Sequence, residues 1–516
     1  MQRKWWTLLA VCLATFMLLL DITIVNVALP DISDELNTSF SDLQWVIDAY
    51  ALMLAALLLT AGSLADLLGR RRVFAFGLAS FTFASVLCAL APSALVLILA
   101  RGAQGIGGAA MFATSLALLA QEFQGRERGT AFGIWGATTG AAVAIGPLVG
   151  GALTSGFGWP SIFYLNVPIG IATIAITLRK LPESRDERAG AIDWPGLVTF
   201  SAALFMLVFA LIRGNEEGWG SAVIVSLLLA SALLLALFIA VERRRESPMF
   251  DLSLFGNRTF VGASIAAFTL SASMFAMFLY ITLYVQTILG YGPLETGLRF
   301  LPITALSFVA AAVSGKLTAK LPARGLLGGG LLLVGLGLEL MRGVDAGSGW
   351  TVLLPGFILA GIGIGTINPS IANAAIGVVH PARSGMASGI SSTFRQVGIA
   401  TGIAGLGAIF QSQITQHLAS ALAGTPGAGR GDGLAHAVSA GGAPQVIAAT
   451  PPAGRAPLQH AIDVAFTSAL NDILLVAAVI AVAGGLASLA LVRGSDFIGH
   501  GPAPEPVAPE PAPVPG

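Results

Sequence analysis

Two residues of opposite charge stand where the chain is otherwise apolar. Asp21 interrupts the run from Trp5 to Leu29, and Arg101 the run from Ala94 to Gln121. A charged side chain inside a membrane helix is costly and must find a partner, water or a use. Arg101, Gln104, Gly105 and Gly108 keep the i, i+3, i+4, i+7 spacing of one helical face. With the first helix running outward and the fourth inward, Arg101 lies roughly 10 Å and Asp21 roughly 12 Å from the outer ends of their helices. The pair is therefore expected at matching depth. Two chemistries fit. One is a static ion pair that fixes packing. The other is a proton site, in which Asp21 gains and loses a proton beside a guanidinium that tunes it. The second is favoured, because an ionisable group inside a membrane is a functional candidate by default.

Other polar residues carry less. Asp48, roughly 6 Å from the outer end of the second helix, is either a second acid for a proton or cationic substrate or an interfacial carboxylate. Glu339 and Arg342, three apart, suit a surface pair. His417, His436 and His460 match no metal-ligand spacing. The only cysteines, Cys12 and Cys88, lie in apolar segments, against a disulfide framework or a cysteine metal site. Gly105-Ile106-Gly107-Gly108 and Gly361-Ile362-Gly363-Ile364-Gly365 follow no strand, and the chain has no GxxxxGK[ST] phosphate loop, so it is not expected to draw energy from bound ATP. No cofactor, metal or enzymatic activity is expected. Asn26, Gln104, Trp135, Met274, Phe278 and Tyr284 are candidate contacts for an apolar ligand; Phe275 is another cavity aromatic.

The elements that must position these residues are membrane helices. Of 516 residues 55% are hydrophobic and 10% charged, against roughly 25% charged in soluble domains, and the mean hydropathy is +0.83. Zero formal net charge gives no basic surface for nucleic acid. With roughly 20 apolar residues needed per crossing, fourteen spans are expected: 5–29, 44–66, 72–91, 94–121, 129–154, 160–181, 193–212, 220–241, 259–289, 295–319, 323–343, 351–379, 382–412 and 466–492. The basic clusters Arg70 to Arg72, Arg126 and Arg128, Arg179 and Lys180, and Arg243 to Arg245 fall in alternate loops, while the first opposite loop holds Asp31, Asp34, Glu35 and Asp42. The positive-inside rule then puts both termini in the cytoplasm. The positively charged start resembles a signal peptide, but the apolar run continues to Asp21 without a small-residue cleavage site and is expected to stay as the first helix. Residues 413–462 are expected as an outer, flexible Gly/Ala/Pro-rich loop, and 496–516 as a disordered proline-rich tail.

Glycines mark two stretches. In Gly133 to Gly151, Gly136, Gly140 and Ala144 form one small stripe and Ala142, Gly146 and Gly150 another, and Pro147 should bend the helix. In Gly62 to Arg72, Gly62 and Gly69 permit a tight turn, and Asp66 sits beside Arg70, Arg71 and Arg72. The second stretch is weakly echoed by Gly315 to Leu321 and Arg324, with Ala319 in place of Asp66, which suggests two related halves. The loop Gly62 to Arg72 resembles the cytoplasmic signature of the major facilitator superfamily, whose Asp and basic residues latch the two halves. The resemblance implies that Asp66 accepts from backbone donors at the start of a second-half helix, with His380 to Gly385 as the candidate start.

Together these motifs resemble the fourteen-helix drug:proton antiporters of the major facilitator superfamily. The loop GSLADLLGRR resembles the superfamily's signature between helices two and three. Leu20 to Pro30 resembles the first-helix signature LDxTIVNVALP, Arg101 to Gly105 resembles RxxQG, and Gly146-Pro147-Leu148-Val149-Gly150-Gly151 resembles the antiporter signature of helix five. Ile162 to Gly170 and Phe394 to Gly398 also match typical segments, though Trp159-Pro160-Ser161 departs from the usual Trp-Arg-Trp.

The resemblance implies an all-α polytopic membrane protein of the major facilitator fold. It would comprise a six-helix bundle over 1–190, two inserted helices over 191–245 and a second six-helix bundle over 246–495. It implies a bacterial cytoplasmic-membrane exporter, monomeric, that exchanges hydrophobic or cationic compounds for protons by alternating access. Asp21 and Arg101 would couple the proton. Gly62, Asp66, Gly69, Arg70 and Arg71 would form a cytoplasmic gate. Gly146, Pro147, Gly150 and Gly151 would seal the interface between bundles. The rivals are a dedicated exporter of one endogenous metabolite, a proton symporter for uptake, and a non-transporting receptor or scaffold.

Overall fold

The computed structural model describes residues 2–36, 40–185, 193–244, 252–317, 321–380, 384–421 and 443–497, with Leu434 and Val438. The described segments are helical, with no strand among them. The first half holds α1 (Arg3–Leu36), α2 (Phe40–Leu68), α3 (Arg70–Ala89), α4 (Ala94–Glu122), α5 (Gly125–Phe157), α6 (Pro160–Tyr164) and α7 (Asn166–Lys180). Then come α8 (Trp194–Glu217) and α9 (Ala222–Glu242). The second half holds α10 (Arg258–Leu270), α11 (Ala276–Leu283), α12 (Pro293–Arg299), α13 (Leu301–Leu317), α14 (Ala323–Leu340), α15 (Leu354–Gly377), α16 (Ser384–Ala421), α17 (Ala443–Ala449) and α18 (Pro452–Leu491). In lipid each backbone group must be satisfied within its own segment, which is why long apolar runs take this form.

Among the described residues twelve helices are long and apolar enough to cross a membrane. The two remaining expected spans fall on α5 and α13, whose described apolar stretches are shorter, Leu148–Phe157 and Leu301–Gly315. Several ends differ from expectation. Hydropathy marks where a chain leaves lipid, not where its helix stops. Thus α1 continues through Pro30 to Leu36, and its Glu35 Oε2 accepts from Trp159 Nε1 at 2.8 Å. The outer loop expected over 413–462 is shorter than that: α16 reaches Ala421, α17 spans Ala443–Ala449 and α18 begins at Pro452. The crossing expected as one helix over 259–289 contains two π-helical turns, Ser271–Phe275 and Tyr284–Ile288. The expected borders at 190/191 and 245/246, His436, Ala319 and the tail 498–516 lie outside the described residues.

Apolar side chains gather in two large cores. One joins α1 to α5 and α7 around Leu54, Phe81, Phe112 and Trp135. The other joins α10 to α18 around Met277, Val334, Phe357 and Phe466. Glycine lets the halves meet backbone to backbone. A Cβ on Gly133 of α5 would stand 2.9 Å from Ala311 O of α13, and one on Gly389 of α16 would stand 3.0 Å from Leu58 O of α2. Helix α8 lies against both α2 and α16: Thr60 and Ser201 hydroxyls meet at 2.8 Å, and Asn215 Nδ2 donates to Ala404 O at 3.1 Å. Helix α9 is bound to α8 by Ser231 Oγ donating to Ala203 O and exposes Val223, Leu229 and Leu233, as a lipid-facing helix would.

Both described chain ends lie on one side. Arg3 pairs with Glu122 at the end of α4, Lys180 approaches Trp6, and Arg493 O accepts from Thr259 at the start of α10.

Candidate functional site

Asp21 and Arg101 meet inside the first half. Asp21 is 1% exposed and so is Arg101. Arg101 Nη1 donates to Asp21 Oδ2. The other carboxylate oxygen, Oδ1, accepts from Gln104 Nε2 and from Asn166 Nδ2, each at 2.9 Å. Arg101 also donates to Gln104 Oε1 at 2.6 Å and to Val46 O at 3.0 Å, and its guanidinium lies 4.4 Å from the Tyr50 ring centre. Ser85 Oγ accepts from Gln104 Nε2 at 2.9 Å and Asn166 Nδ2 at 3.3 Å and donates to Phe81 O at 2.8 Å. Five helices therefore contribute: α1, α2, α3, α4 and α7. A buried charge pair is tolerable only when its remaining lone pairs and protons are satisfied. Three donors on an ionised carboxylate meet that condition.

A second constellation ties the halves together on the side that carries both chain ends. Asp66, near the end of α2, accepts from Arg70 Nε and Nη2 on Oδ1, at 2.9 and 2.8 Å. Its Oδ2 accepts from the backbone N–H of Met386 at 2.8 Å, in the first turn of α16. An anion at a helix N-terminus is favoured by the unpaired N–H groups and the dipole there. The recipient lies one residue beyond the expected stretch 380–385. Gly62 is buried in α2. Gly69 has φ +111°, and a Cβ there would stand 2.6 Å from Glu183 Oε1. Arg71 donates from its backbone N–H to Glu183 Oε1 at 3.1 Å and from Nη1 to Leu181 O at 3.3 Å.

The glycines of α5 divide by direction. Gly133, Gly136 and Gly140 face the second half, against Ala311, Pro369 and Ser307. Gly146 and Gly150 instead face α1: Cβ atoms there would collide with Thr23 and Ile24. Gly151 has no neighbour within 4 Å of such an atom, and the side chain of Pro147 lies outside the described residues. The expectation that Gly146, Gly150 and Gly151 seal the interface between bundles is corrected to this extent. The contacts of Gly146 and Gly150 are within the first half, on the turn of α1 that follows Asp21, because the helix presents a different face there.

A cleft lies between the halves, lined by Thr139, Phe278, Ile303, Ser307, Ile364 and Asn368 among others. Of the weaker candidates, Phe278 lines it. Gln104 belongs to the Asp21 cluster. Trp135 is buried with Nε1 donating to Thr15 Oγ1 at 3.0 Å. Met274 is enclosed in the second core, and Tyr284 stacks near Phe466 with its hydroxyl on Ser348 O. Asp48 is half-buried on α2 and is not part of the lining. The side chain of Asn26 lies outside the described residues.

The Major Facilitator Superfamily family model matches residues 11–403. The chain belongs to the major facilitator superfamily. It is 39% identical over 413 residues to the multidrug resistance protein Stp of Mycobacterium tuberculosis, covering 80% of this chain and 77% of that protein. It is 32% identical over 522 residues to the tetracenomycin C resistance and export protein of Streptomyces glaucescens, covering 99% and 95%. Among solved structures, the proton:xylose symporter XylE shares the fold with a TM-score of 0.63 at 13% identity, covering 95% of this chain and 96% of that one. This superfamily member is a multi-pass membrane transporter of small molecules and not an enzyme.

Asp21, Arg101 and Gln104 of the superfamily member's buried cluster are legible in the sequence; Asn166, Ser85 and Tyr50 are not. Asn166 lies in the segment Ile162 to Gly170, whose match to the family singles out no residue. The signal that could have found it is an uncharged amide in an otherwise apolar run, which must find a partner once buried.

Proposed function

We propose that the protein is a proton-coupled antiporter that exports hydrophobic or cationic drugs or toxic compounds from the bacterial cytoplasm by alternating access. The reading has fourteen spans, since α5 and α13 complete the twelve, arranged as two six-helix bundles, 1–190 and 246–495, with 191–245 as the insert. The side that carries both chain ends is then cytoplasmic, in keeping with the basic loops there, and the chain works as a monomer. The export direction is supported by the drug-resistance and export names of the relatives.

The observation that carries the coupling is the buried carboxylate of Asp21 held by Arg101, Gln104 and Asn166. Its protonation from the outside would remove the charge that holds Arg101. The freed donors would then repack α1 and α4 against α7. Gly146 and Gly150 pass this change to α5, because they touch α1 next to Asp21, and α5 reaches the second half through Gly133 and Gly140. A proton shifts a two-state equilibrium only by its differential affinity for the two states, and burial of the ionised group in one of them supplies such a difference. Asp66 and Met386 then act as the cytoplasmic latch.

Asp21→Asn is the test. In everted vesicles energised by a proton gradient, uptake of a fluorescent drug is expected to fall at least about tenfold while the protein remains monodisperse in detergent, since a hydrogen-bonded charge is worth roughly 1.5–3 kcal/mol. Full uptake by the variant rules out Asp21 as the coupling acid. A dedicated exporter of one endogenous compound is a second reading, favoured by the combined resistance and export name of the Streptomyces relative.

A further inference from the structure

The cleft between α5, α13 and α15 presents donors, and among the described residues no carboxylate lines it. Phe275 and Phe278, with ring centres 6.1 Å apart, form an aromatic wall. The hydroxyl protons of Thr139 and Thr304 are taken by the carbonyls of Trp135 and Phe300, at 3.0 and 3.1 Å. Two donors are left. Ser307 Oγ has no described hydrogen-bond partner and faces Gly140. Asn368 uses its amide oxygen on Arg395: Arg395 Nη1 donates to Asn368 Oδ1 at 2.9 Å. A guanidinium has donors only, so it fixes which end of the amide points toward it. The Nδ2 of Asn368 is therefore the end left over, and it donates to no described group.

Arg395 sits on α16 at 8% exposure. No described carboxylate lies within ion-pair distance, in contrast to Arg101 and Arg70. A buried guanidinium with a neutral partner in a membrane helix is costly, and such groups mark substrate paths. Its charge polarises the amide and strengthens Nδ2 as a donor. Pro369, next in sequence, removes a backbone donor from the same turn of α15.

We propose that Asn368 contacts the substrate, that Arg395 is its positioning residue, and that the cleft selects planar aromatic compounds bearing a carbonyl, phenolate or carboxylate acceptor over lipophilic cations. The cleft holds about 20 Å³ here, room for a water, so the ring system enters along the aromatic wall only as the halves part, and Asn368 Nδ2 and Ser307 then take the acceptor. The positive potential behind Asn368 disfavours a cation. The inference rests on the export reading, in that the cleft is taken as the path of the exported compound.

Binding of anthraquinone-2-carboxylate and of tetraphenylphosphonium to the full-length protein in lipid nanodiscs, by equilibrium dialysis, tests it. The wild type is expected to bind the carboxylate at least about tenfold more tightly than the phosphonium. Asn368→Asp exchanges the donor for an acceptor and is expected to weaken the carboxylate about tenfold or more while phosphonium binding holds or strengthens. Arg395→Gln should act in the same direction, and Arg395→Lys should restore most of the preference. A general packing role would lower both probes together. Equal loss of both, no change in either, or a wild-type preference for the phosphonium overturns the proposal. Proteoliposome transport of the same carboxylate separates the two readings: selective binding without transport supports the site and sinks export, whereas transport with no dependence on Asn368 sinks the site.

Discussion

Gly69 joins α2 to α3 in a backbone conformation, φ +111°, that residues with a Cβ rarely adopt, and Glu183 closes over the place a Cβ would take. Two costs therefore coincide at one atom. Gly69→Ala is expected to destabilise the fold by about 1–3 kcal/mol, seen as a lower thermal midpoint in detergent. Adding Glu183→Ala should recover the steric share and leave the backbone share. An unchanged midpoint for the single variant would show that the turn has another conformation open to it. This glycine was legible in the sequence because a charged turn between apolar runs is a local pattern. Asp21 and Arg101 were legible for a similar reason, as the wrong residue types in apolar runs. Asn166, Ser85 and Arg395's hold on Asn368 were not. Neutral polar side chains occur throughout membrane helices, and nothing local says which will meet across three or four elements.

At the scale of helices, apolar length predicted the crossings and missed their ends. The continuation of α1 past Pro30 and of α16 to Ala421, and the π turns around Ser271 and Tyr284, depend on what each helix packs against rather than on its own hydropathy. Small-residue stripes were legible as close-packing surfaces, but not their partners. The face of α5 with Gly136 and Gly140 meets the second half, and the face with Gly146 and Gly150 meets α1. The Asp66 contact with the start of α16 was foreseeable from the resemblance of its loop to the superfamily's latch, to which a helix N-terminus, as an anion site, gives a physical form. It also makes a prediction about α2 and α16. Asp66→Asn removes the charge that Arg70 and the Met386 N–H share. The seam between α2 and α16 is then expected to lose about 1.5–3 kcal/mol. Leu59, fully buried at that seam, reports it. A cysteine at Leu59 should react with maleimide at least about tenfold faster in the Asp66→Asn background. Equal rates would mean that the contact does not bias the seam.

For the whole molecule, export by alternating access requires the halves to move against each other while each stays intact. On the proposed mechanism the cleft marks the contact that changes. A Cβ on Gly140 would stand 4.0 Å from Ser307 Cβ across the two halves, and a disulfide needs Cβ atoms about 3.5–4.5 Å apart. Oxidising Gly140→Cys with Ser307→Cys should therefore freeze the halves and reduce transport to background, with recovery on reduction to the level of Ser307→Cys alone, which already lacks the serine donor. A control comes from α8. It meets α2 twice, through Thr60 with Ser201 and through Trp45 with Phe209 at 5.5 Å between rings, and is bonded to α16 through Asn215. Phe200 and Leu204 of α8 also pack with Met386 and Ile390 of α16, so the test is whether α8 travels with α2. If it does, the pair Thr60→Cys with Ser201→Cys should be oxidised with transport kept within about twofold, a change equivalent to under 1 kcal/mol in the barrier. If the Gly140–Ser307 bridge forms and transport continues unchanged, the two halves do not rock about this cleft. If the Thr60–Ser201 bridge also stops transport, the inserted helices slide over α2 during the cycle, and α8 is a moving part of the transporter rather than a passenger on its first half.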